Sequence, residues 1–387
     1  MNIAFDAKRA FTNGTGLGHY SRTLITSLAQ YFPENEYFLC TPKISNRYNT
    51  AKFQHTQVVT PHRFPSTLLT SAWRSKWVVK DLLGLDVNLY HGLSHEIPIG
   101  IQKTSIKSVV TIHDLIFERY PKQYNSIDVA IYRRKFRNAC TNSNRIIAIS
   151  KQTKEDIIQF YKISPEKIDV CYQSCNPAFG TEVPQDEKQR IKQLYNLPEK
   201  YFLYVGSVIE RKNLLGICKA LVFLKNKLDI PLVVIGDGDG YMKQVKEYIT
   251  ANGLQAKVIF LSDNEKINRL STYRSAADFP AIYQQAECMI YPSFFEGFGI
   301  PVLEALYSRI PVITSNVSCL PEAGGPGAIL INPSDPEELA DAMVALSGNI
   351  LLRKQVVEKG WQYAQSFSPQ NCAQSVIDVY NKVMQYG

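Results

Sequence analysis

Short apolar runs alternate with amphipathic stretches from one end of this 387-residue chain to the other. That alternation marks parallel strand–helix–strand units, in which strands covered on both faces read as continuous apolar runs and helices as stripes of 3.6-residue period. In the first half the runs predict strands over 2–5, 37–40, 87–90, 107–112, 145–149 and 168–171, with helices over 18–31 and 151–161 among the connections. The second half repeats the scheme. Its strands fall over 201–205, 232–235, 257–260, 288–291, 311–314 and 328–331, and its helices over 213–227, 301–307 and 336–346. Residues 181–200, TEVPQDEKQRIKQLYNLPEK, are polar and hold two prolines, so they read as a linker. The pattern predicts two doubly wound α/β domains in tandem, with a ligand cleft between the carboxyl ends of their strands.

Length agrees, since single cores stop growing near roughly 250–300 residues. With 45% hydrophobic and 20% charged residues the composition is that of an ordinary globular protein. No apolar run approaches the roughly 20 residues needed to span a bilayer. The start, MNIAFDAKRAF, has no signal-peptide core and reads as a first buried strand. The eight cysteines include no Cys-x-x-Cys pair, which fits buried thiols in a reducing cytoplasm. Charge changes the picture more. Residues 1–180 carry 23 Lys and Arg against 13 Asp and Glu, and the remainder 20 against 22, so the whole net charge of +8 arises in the first half. Such a face favours an anionic partner, whether phosphorylated substrate or phospholipid. No zinc-finger spacing or RNP-like aromatic pattern accompanies it, and no nucleic-acid partner is expected.

The chemistry concentrates in YPSFFEGFGIPVLEAL, residues 291–306. A buried strand ends at Tyr291, a loop with Gly297 and Gly299 follows, and a helix begins near Pro301. Close backbone approach and unpaired helix-terminal N–H groups outline a phosphate site over Gly297, Phe298, Gly299 and Ile300. Glu296 and Glu304 are placed to accept hydrogen bonds from sugar hydroxyls of the same ligand. In YVGSVIERKNL (204–214) a strand runs into Gly206 and then delivers Arg211 and Lys212 side by side. A guanidinium fork and an ammonium point charge together neutralise a diphosphate; the alternative is a solvated surface pair. Gly14, Gly16 and Gly18 follow the first strand and precede a helix, without the spacing of a dinucleotide fingerprint. His113 closes the strand VVTIHD at a cleft position, and it reads either as a site residue or as a structural histidine.

Two other motifs are declined as metal sites. GDGDG (236–240) lacks the oxygen ligands and closing Glu of a calcium loop, and reads as a turn lining a nucleotide pocket. His91 and His95 in HGLSH sit in an expected loop with no third ligand, and read as lining for an acceptor cleft. In SAWRSKWVVKDLL (71–83), Trp73 and Trp77 would share a helix face with Arg74, Lys76 and Lys80 around it. That face, with YRRKFR (132–137), suits an anionic headgroup surface; the alternative packs both tryptophans into the core.

EGFGIPVLEAL resembles the Glu-(seven residues)-Glu signature of glycosyltransferase family 4. Four further stretches resemble that family in the same order: TGLGHYSRTLITSLA (15–29), VVTIHDLIFERYP (109–121), IIAISKQTKEDII (146–158) and YVGSVIERKNL. The resemblance covers about residues 1 to 375. It implies a GT-B fold: an acceptor-side Rossmann-like domain over 1–180 plus a returning helix at 370–387, and a donor-binding one over 181–369, facing a central cleft. It implies a retaining hexosyltransferase that takes sugar from a nucleotide diphosphate without a metal cofactor. Arg211 and Lys212 would hold the diphosphate, with Gly16 and Gly206 close to it. Glu304 would take the ribose hydroxyls and Glu296 the donor sugar. His113 would lie beside that sugar, its backbone or ring supporting the forming charge. The Arg-Lys-Asn form of the phosphate loop resembles mannosyltransferases of surface-polysaccharide assembly, so GDP-mannose is the first donor expected and a UDP-hexose the second. The acceptor would be a glycan or lipid-linked glycan, and the location cytoplasmic, peripheral at the inner membrane face. An epimerase or hydrolase of the same fold, or a non-catalytic nucleotide-sugar binder, are the alternatives.

Overall fold

The computed structural model describes residues 1–62, 64–225 and 227–385. Two compact units are present: Met1–Ser174 with Phe367–Gly387, and Cys175–Ser366. Among the described residues the first holds seven parallel strands: β1 (Asn2–Asp6), β2 (Glu36–Cys40), β3 (Thr56–Val59), β4 (Leu89–Gly92), β5 (Lys107–Ile112), β6 (Arg145–Ala148) and β7 (Ile168–Val170). Their order is β3-β2-β1-β4-β5-β6-β7. The second holds six: β8 (Phe202–Val205), β9 (Leu232–Ile235), β10 (Val258–Phe260), β11 (Cys288–Tyr291), β12 (Val312–Ser315) and β13 (Ala328–Ile331), in the order β10-β9-β8-β11-β12-β13. Strand order reverses between β1 and β4 in one sheet and between β8 and β11 in the other. At such switch points the connections leave to opposite sides and open a crevice at the carboxyl ends.

Each sheet has a core of its own. Ala4, Val110, Ile112 and Ile146 belong to one, and Leu232, Val234, Ile290 and Ile313 to the other. The apolar runs persist along every central strand because helices cover both faces and leave no wet side to alternate with. Local caps fix where those helices begin. Ser150 Oγ accepts from Thr153 N (3.0 Å) at the start of Lys151–Tyr161, and Asn125 Oδ1 accepts from Ile127 N (2.9 Å) at Ser126–Asn142.

Four expectations need correction. Residues 181–200 are no plain linker: Gln185–Tyr195 is a helix, anchored by buried Ile191 and by Tyr195 OH donating to Asp278 Oδ2 at 2.7 Å. Residues 175–180 group with the second unit, where Phe179 packs edge-on to Tyr283 with centroids 5.0 Å apart. His91 lies in β4, not in a loop or at a cleft wall. It is wholly buried, with Nδ1 2.6 Å from Tyr380 OH and Nε2 2.7 Å from Thr111 Oγ1. Burial holds its pKa down to about 3, so it is a neutral core histidine. Finally, Trp73 and Trp77 pack inward. Trp73 is 1% exposed with its indole N–H on Asp81 Oδ2 (2.6 Å), Trp77 packs against the same core, and Arg74 turns to Asp6 and Glu96. The helical stretch passes through a π-turn at Trp73–Trp77, which widens the spacing on which a shared outer face depended. Among the described residues no helix is long and apolar enough to cross a membrane.

Candidate functional site

In the second unit, the segments leaving β8 and β11 meet at the switch point and bring charge together. Beyond β8 the chain makes a single 3₁₀ turn, Glu210–Lys212, which presents Arg211 and Lys212. Asn213 then adopts a left-handed conformation (φ 57°) and ties the turn down. Its side chain accepts from Gly216 N (3.2 Å) and donates to Pro292 O (3.2 Å) and Pro333 O (2.7 Å). The loops after β8 and β9 touch backbone to backbone. Val208 N donates to Asp237 O at 2.8 Å, and a Cβ on Gly238 would stand 2.2 Å from Val208 O. That approach leaves no room for a side chain at Gly236 or Gly238.

Beyond β11, Glu296 folds back onto these cations. Its Oε2 is 3.0 Å from Arg211 Nη1 and its Oε1 is 3.4 Å from Lys212 Nζ. Tyr291 OH (2.9 Å) and Ser293 Oγ (3.0 Å) also donate to Oε1, Lys212 Nζ donates to Tyr291 OH (2.7 Å), and Arg211 donates to Phe295 O. Arg211 and Glu296 are only 9% and 8% exposed. Burial alone would raise the carboxyl pKa, but Lys212, Arg211 and the tyrosine hydrogen bond outweigh it and hold Glu296 below its ordinary 4.5. The group is therefore an ionised carboxylate bound to two cations. Tyr291, Ser293 and Asn213 were missed as contributors; their sequence signal was position alone, at or just past a strand's carboxyl end.

The helix Ile300–Tyr307 starts at Gly299, whose φ of 107° suits glycine and whose Cβ would meet Leu320 Cδ2 at 2.9 Å. Phe298 turns inward at 2% exposure, so only its backbone stands at the loop; its carbonyl accepts from Cys319 Sγ at 3.2 Å. Glu304 takes a separate position, accepting from Tyr283 OH at 2.9 Å, and burial raises its pKa to about 7. Gly206 packs so near Lys212 that a Cβ would lie 3.1 Å from Nζ.

The first unit places the remaining residues. Gly16 opens the helix Gly16–Tyr31 and is exposed, with nothing within 4 Å of where a Cβ would be. Gly18, by contrast, lies against Asn13 O, 2.0 Å from its would-be Cβ. His113 follows β5 at 5% exposure, and its Nε2 is 2.8 Å from Leu93 O. Burial lowers its pKa to about 4 despite that hydrogen bond. The ring is thus neutral near pH 7, with Nε2–H as donor to the carbonyl and Nδ1 left as acceptor. Among the described residues, no group of three His, Cys, Asp or Glu is arranged to hold a metal ion.

Comparison with known proteins accounts for both units. Residues 16–179 match the family model "Glycosyltransferase Family 4", and residues 185–362 match "Glycosyl transferases group 1". O-antigen chain mannosyltransferase B of Escherichia coli is 24% identical over 98% of this chain and 99% of its own. O-antigen chain mannosyltransferase RfbU of Salmonella typhimurium is 26% identical over 86% of this chain and 87% of its own. Anabaena HepE, solved in complex with UDP and glucose, is 16% identical with a TM-score of 0.72 over 98% of this chain and 99% of that one. That likeness carries the fold, and the GT-B class expected from the sequence stands. With one glycosyltransferase domain model matched on each of its two sheets, the chain belongs to the GT-B glycosyltransferases that pair a family 4 domain with a group 1 domain.

Proposed function

We propose that this glycosyltransferase moves mannose from GDP-mannose to a growing surface glycan, with retention of the anomeric configuration and without a bound metal. The observation that carries the donor site is the Glu296–Arg211–Lys212 cluster at the β8/β11 switch point. Two neighbouring cations compensated by one carboxylate are poised for exchange. An arriving diphosphate supplies the negative charge that Glu296 provides in its absence, and Glu296 is released to accept hydroxyl protons of the donor sugar. Backbone N–H groups over Gly297–Ile300 and the dipole of the helix behind them add to the positive field, with Gly206 admitting phosphate closely. Glu304 takes the ribose hydroxyls. Its carboxylate oxygen already accepts a hydrogen bond from one hydroxyl, that of Tyr283, at 2.9 Å.

In the chemical step the bond from the anomeric carbon to the diphosphate oxygen breaks, and a bond to the acceptor oxygen forms on the same face. The acceptor proton passes to the departing diphosphate. Arg211 and Lys212 stabilise the charge as it develops, a contribution on the order of 2–4 kcal/mol for each group in a dry site. His113, neutral and tied to Leu93, takes no proton near pH 7. The names of the two mannosyltransferase relatives support the choice of mannose, and the UDP and glucose bound to HepE make a UDP-hexose the second reading.

Thermal shifts with GDP, UDP, GDP-mannose and UDP-glucose test the donor, followed by turnover in EDTA with and without acceptor extract. GDP compounds should stabilise the chain most and activity should survive chelation. A larger shift with UDP compounds would replace the donor, and loss on chelation restored by Mg²⁺ would overturn the metal-free reading. Donor turnover that needs no acceptor would mark a hydrolase or epimerase. An NMR spectrum showing an inverted anomeric proton in the product would sink the retaining mechanism.

A further inference from the structure

The segment that leaves β12 meets the Glu296 loop residue by residue. Val317 is 38% exposed and Cys319 is wholly buried, and the chain turns inward between them at Ser318, whose φ of 60° is left-handed. Ser318 Oγ accepts from Glu296 N at 3.2 Å and donates to Glu296 O at 3.0 Å. Cys319 Sγ lies 3.1 Å from Glu296 O and 3.2 Å from Phe298 O, with one proton to share between the two carbonyls. Leu320 then fills the space against Gly299, its Cδ2 2.9 Å from where a Cβ on that glycine would stand.

A hydroxyl bonded to both the N–H and the C=O of one residue fixes the backbone on either side of that residue's Cα. It thereby fixes the direction in which the side chain leaves the chain. The carboxylate of Glu296 has other ties, to Arg211 and Lys212, but a diphosphate that takes those cations removes them. The backbone ties to Ser318 and Cys319 survive that exchange. The hydroxyl also comes at a cost, since a left-handed backbone strains serine and leaves glycine unstrained. A turn kept for packing alone would be better made by glycine. Strain retained for one hydroxyl, and that hydroxyl spent wholly on Glu296, points to what the serine does.

We propose that Ser318 is a positioning residue for the donor sugar, acting through the backbone of Glu296, with the Cys319 thiol as its support. Once the diphosphate occupies Arg211 and Lys212, the released carboxylate stands at the sugar hydroxyls because its Cα cannot turn away. The inference rests on the donor reading of Glu296.

Calorimetric titration of the full chain with GDP, GDP-mannose, UDP and UDP-glucose tests this in Ser318→Gly, Ser318→Ala, Glu296→Gln and the double variant Glu296→Gln with Ser318→Gly. Urea unfolding accompanies each titration. Glycine relieves the strain and alanine keeps it, so the two Ser318 variants differ in stability while both lack the hydroxyl. For the nucleotide pair that binds more tightly, both should keep the parent's affinity for the nucleoside diphosphate within about twofold. Both should bind the nucleotide sugar about tenfold more weakly, the scale of one hydrogen bond to a charged group. In the Glu296→Gln background, Ser318→Gly should change neither affinity. Equal weakening of nucleotide and nucleotide sugar would overturn the proposal, as would losses that follow the stability of the variants, because either marks a merely structural role. A tenfold loss that persists without the Glu296 carboxylate would also overturn it, since Ser318 would then act by another route. A parent that binds none of the four ligands would remove the donor reading and this inference together. A parent that binds them, beside Ser318 variants that bind them equally well, would remove this inference alone.

Discussion

A carboxylate buried beside an arginine and a lysine must be ionised if any of the three is to be satisfied, and this has opposite consequences for binding and for turnover. Removing one partner of a buried ion pair strands the others, typically at about 3–5 kcal/mol. In Glu296→Gln the stranded charges are positive, at the place proposed for a diphosphate. The nucleoside diphosphate should therefore bind several-fold more tightly to this variant, while turnover falls at least a hundredfold. Lys212→Ala should lower both. Equal loss of nucleotide affinity in the two variants would show that Glu296 does not compete with phosphate for the cations. Glu296 also makes stability depend on pH with a definite sign. Its folded pKa lies below 4.5, so its contribution is present above that value and is lost as pH falls through the lowered one. Glu304 acts in the other sense. Raised to about 7, it favours the fold fully below its ordinary 4.5 and loses that advantage as pH rises through 7. Glu304→Gln removes the penalty of ionising a mostly buried carboxyl. Urea unfolding should find the variant more stable than the parent at pH 8, by about 1–3 kcal/mol, and nearly equal to it at pH 4.5. A difference independent of pH would show that Glu304 is solvated.

Glycine positions distinguish elements held by contact from elements that are merely short. Gly238 packs against the loop after β8, and a Cβ there would stand 2.2 Å from Val208 O, whereas Gly240 opens the helix Gly240–Ala251 with open space around it. Gly238→Ala should be destabilised by about 1–3 kcal/mol through overpacking against backbone. Gly240→Ala should match the parent or exceed it by up to about 1 kcal/mol, since alanine narrows the unfolded ensemble. Matching urea midpoints for the two variants would mean that the loops part easily. The same elements show what was legible beforehand. The ends of β5, β9 and β11 could be read from sequence because both faces of those strands are covered and the apolar run equals the strand. β3 was missed because Thr56–Val59 is an edge strand with only Val59 buried. Gln185–Tyr195 read as linker because two inward residues, Ile191 and Tyr195, make too faint a stripe. Tyr291, Ser293 and Asn213 escaped notice for another reason. Their roles follow from what the fold brings opposite them, which no local spacing records.

For the molecule as a whole, the two sheets carry separate cores, and the segments assigned to the donor all belong to the second. The turn after β8, the glycine loop after β9 and the Glu296 loop after β11 are within Cys175–Ser366. A ligand that binds only the folded state adds about 2.7 kcal/mol at one hundred times its dissociation constant, and that energy enters the unit that must open to release it. Amides of β8–β13 that exchange by unfolding should therefore slow by about a hundredfold with saturating nucleoside diphosphate, and those of Gly206–Asn213 and Gly297–Ile300 should slow as well. The net positive charge lies in the other half of the sequence, so simple attraction of an anion makes the contrary forecast: protection around Gly14–Gly18 and across β1–β7. Hydrogen exchange followed by mass spectrometry separates the two on a single sample. Slowing confined to Met1–Ser174 would move the phosphate to the first unit and withdraw the role given to Arg211 and Lys212.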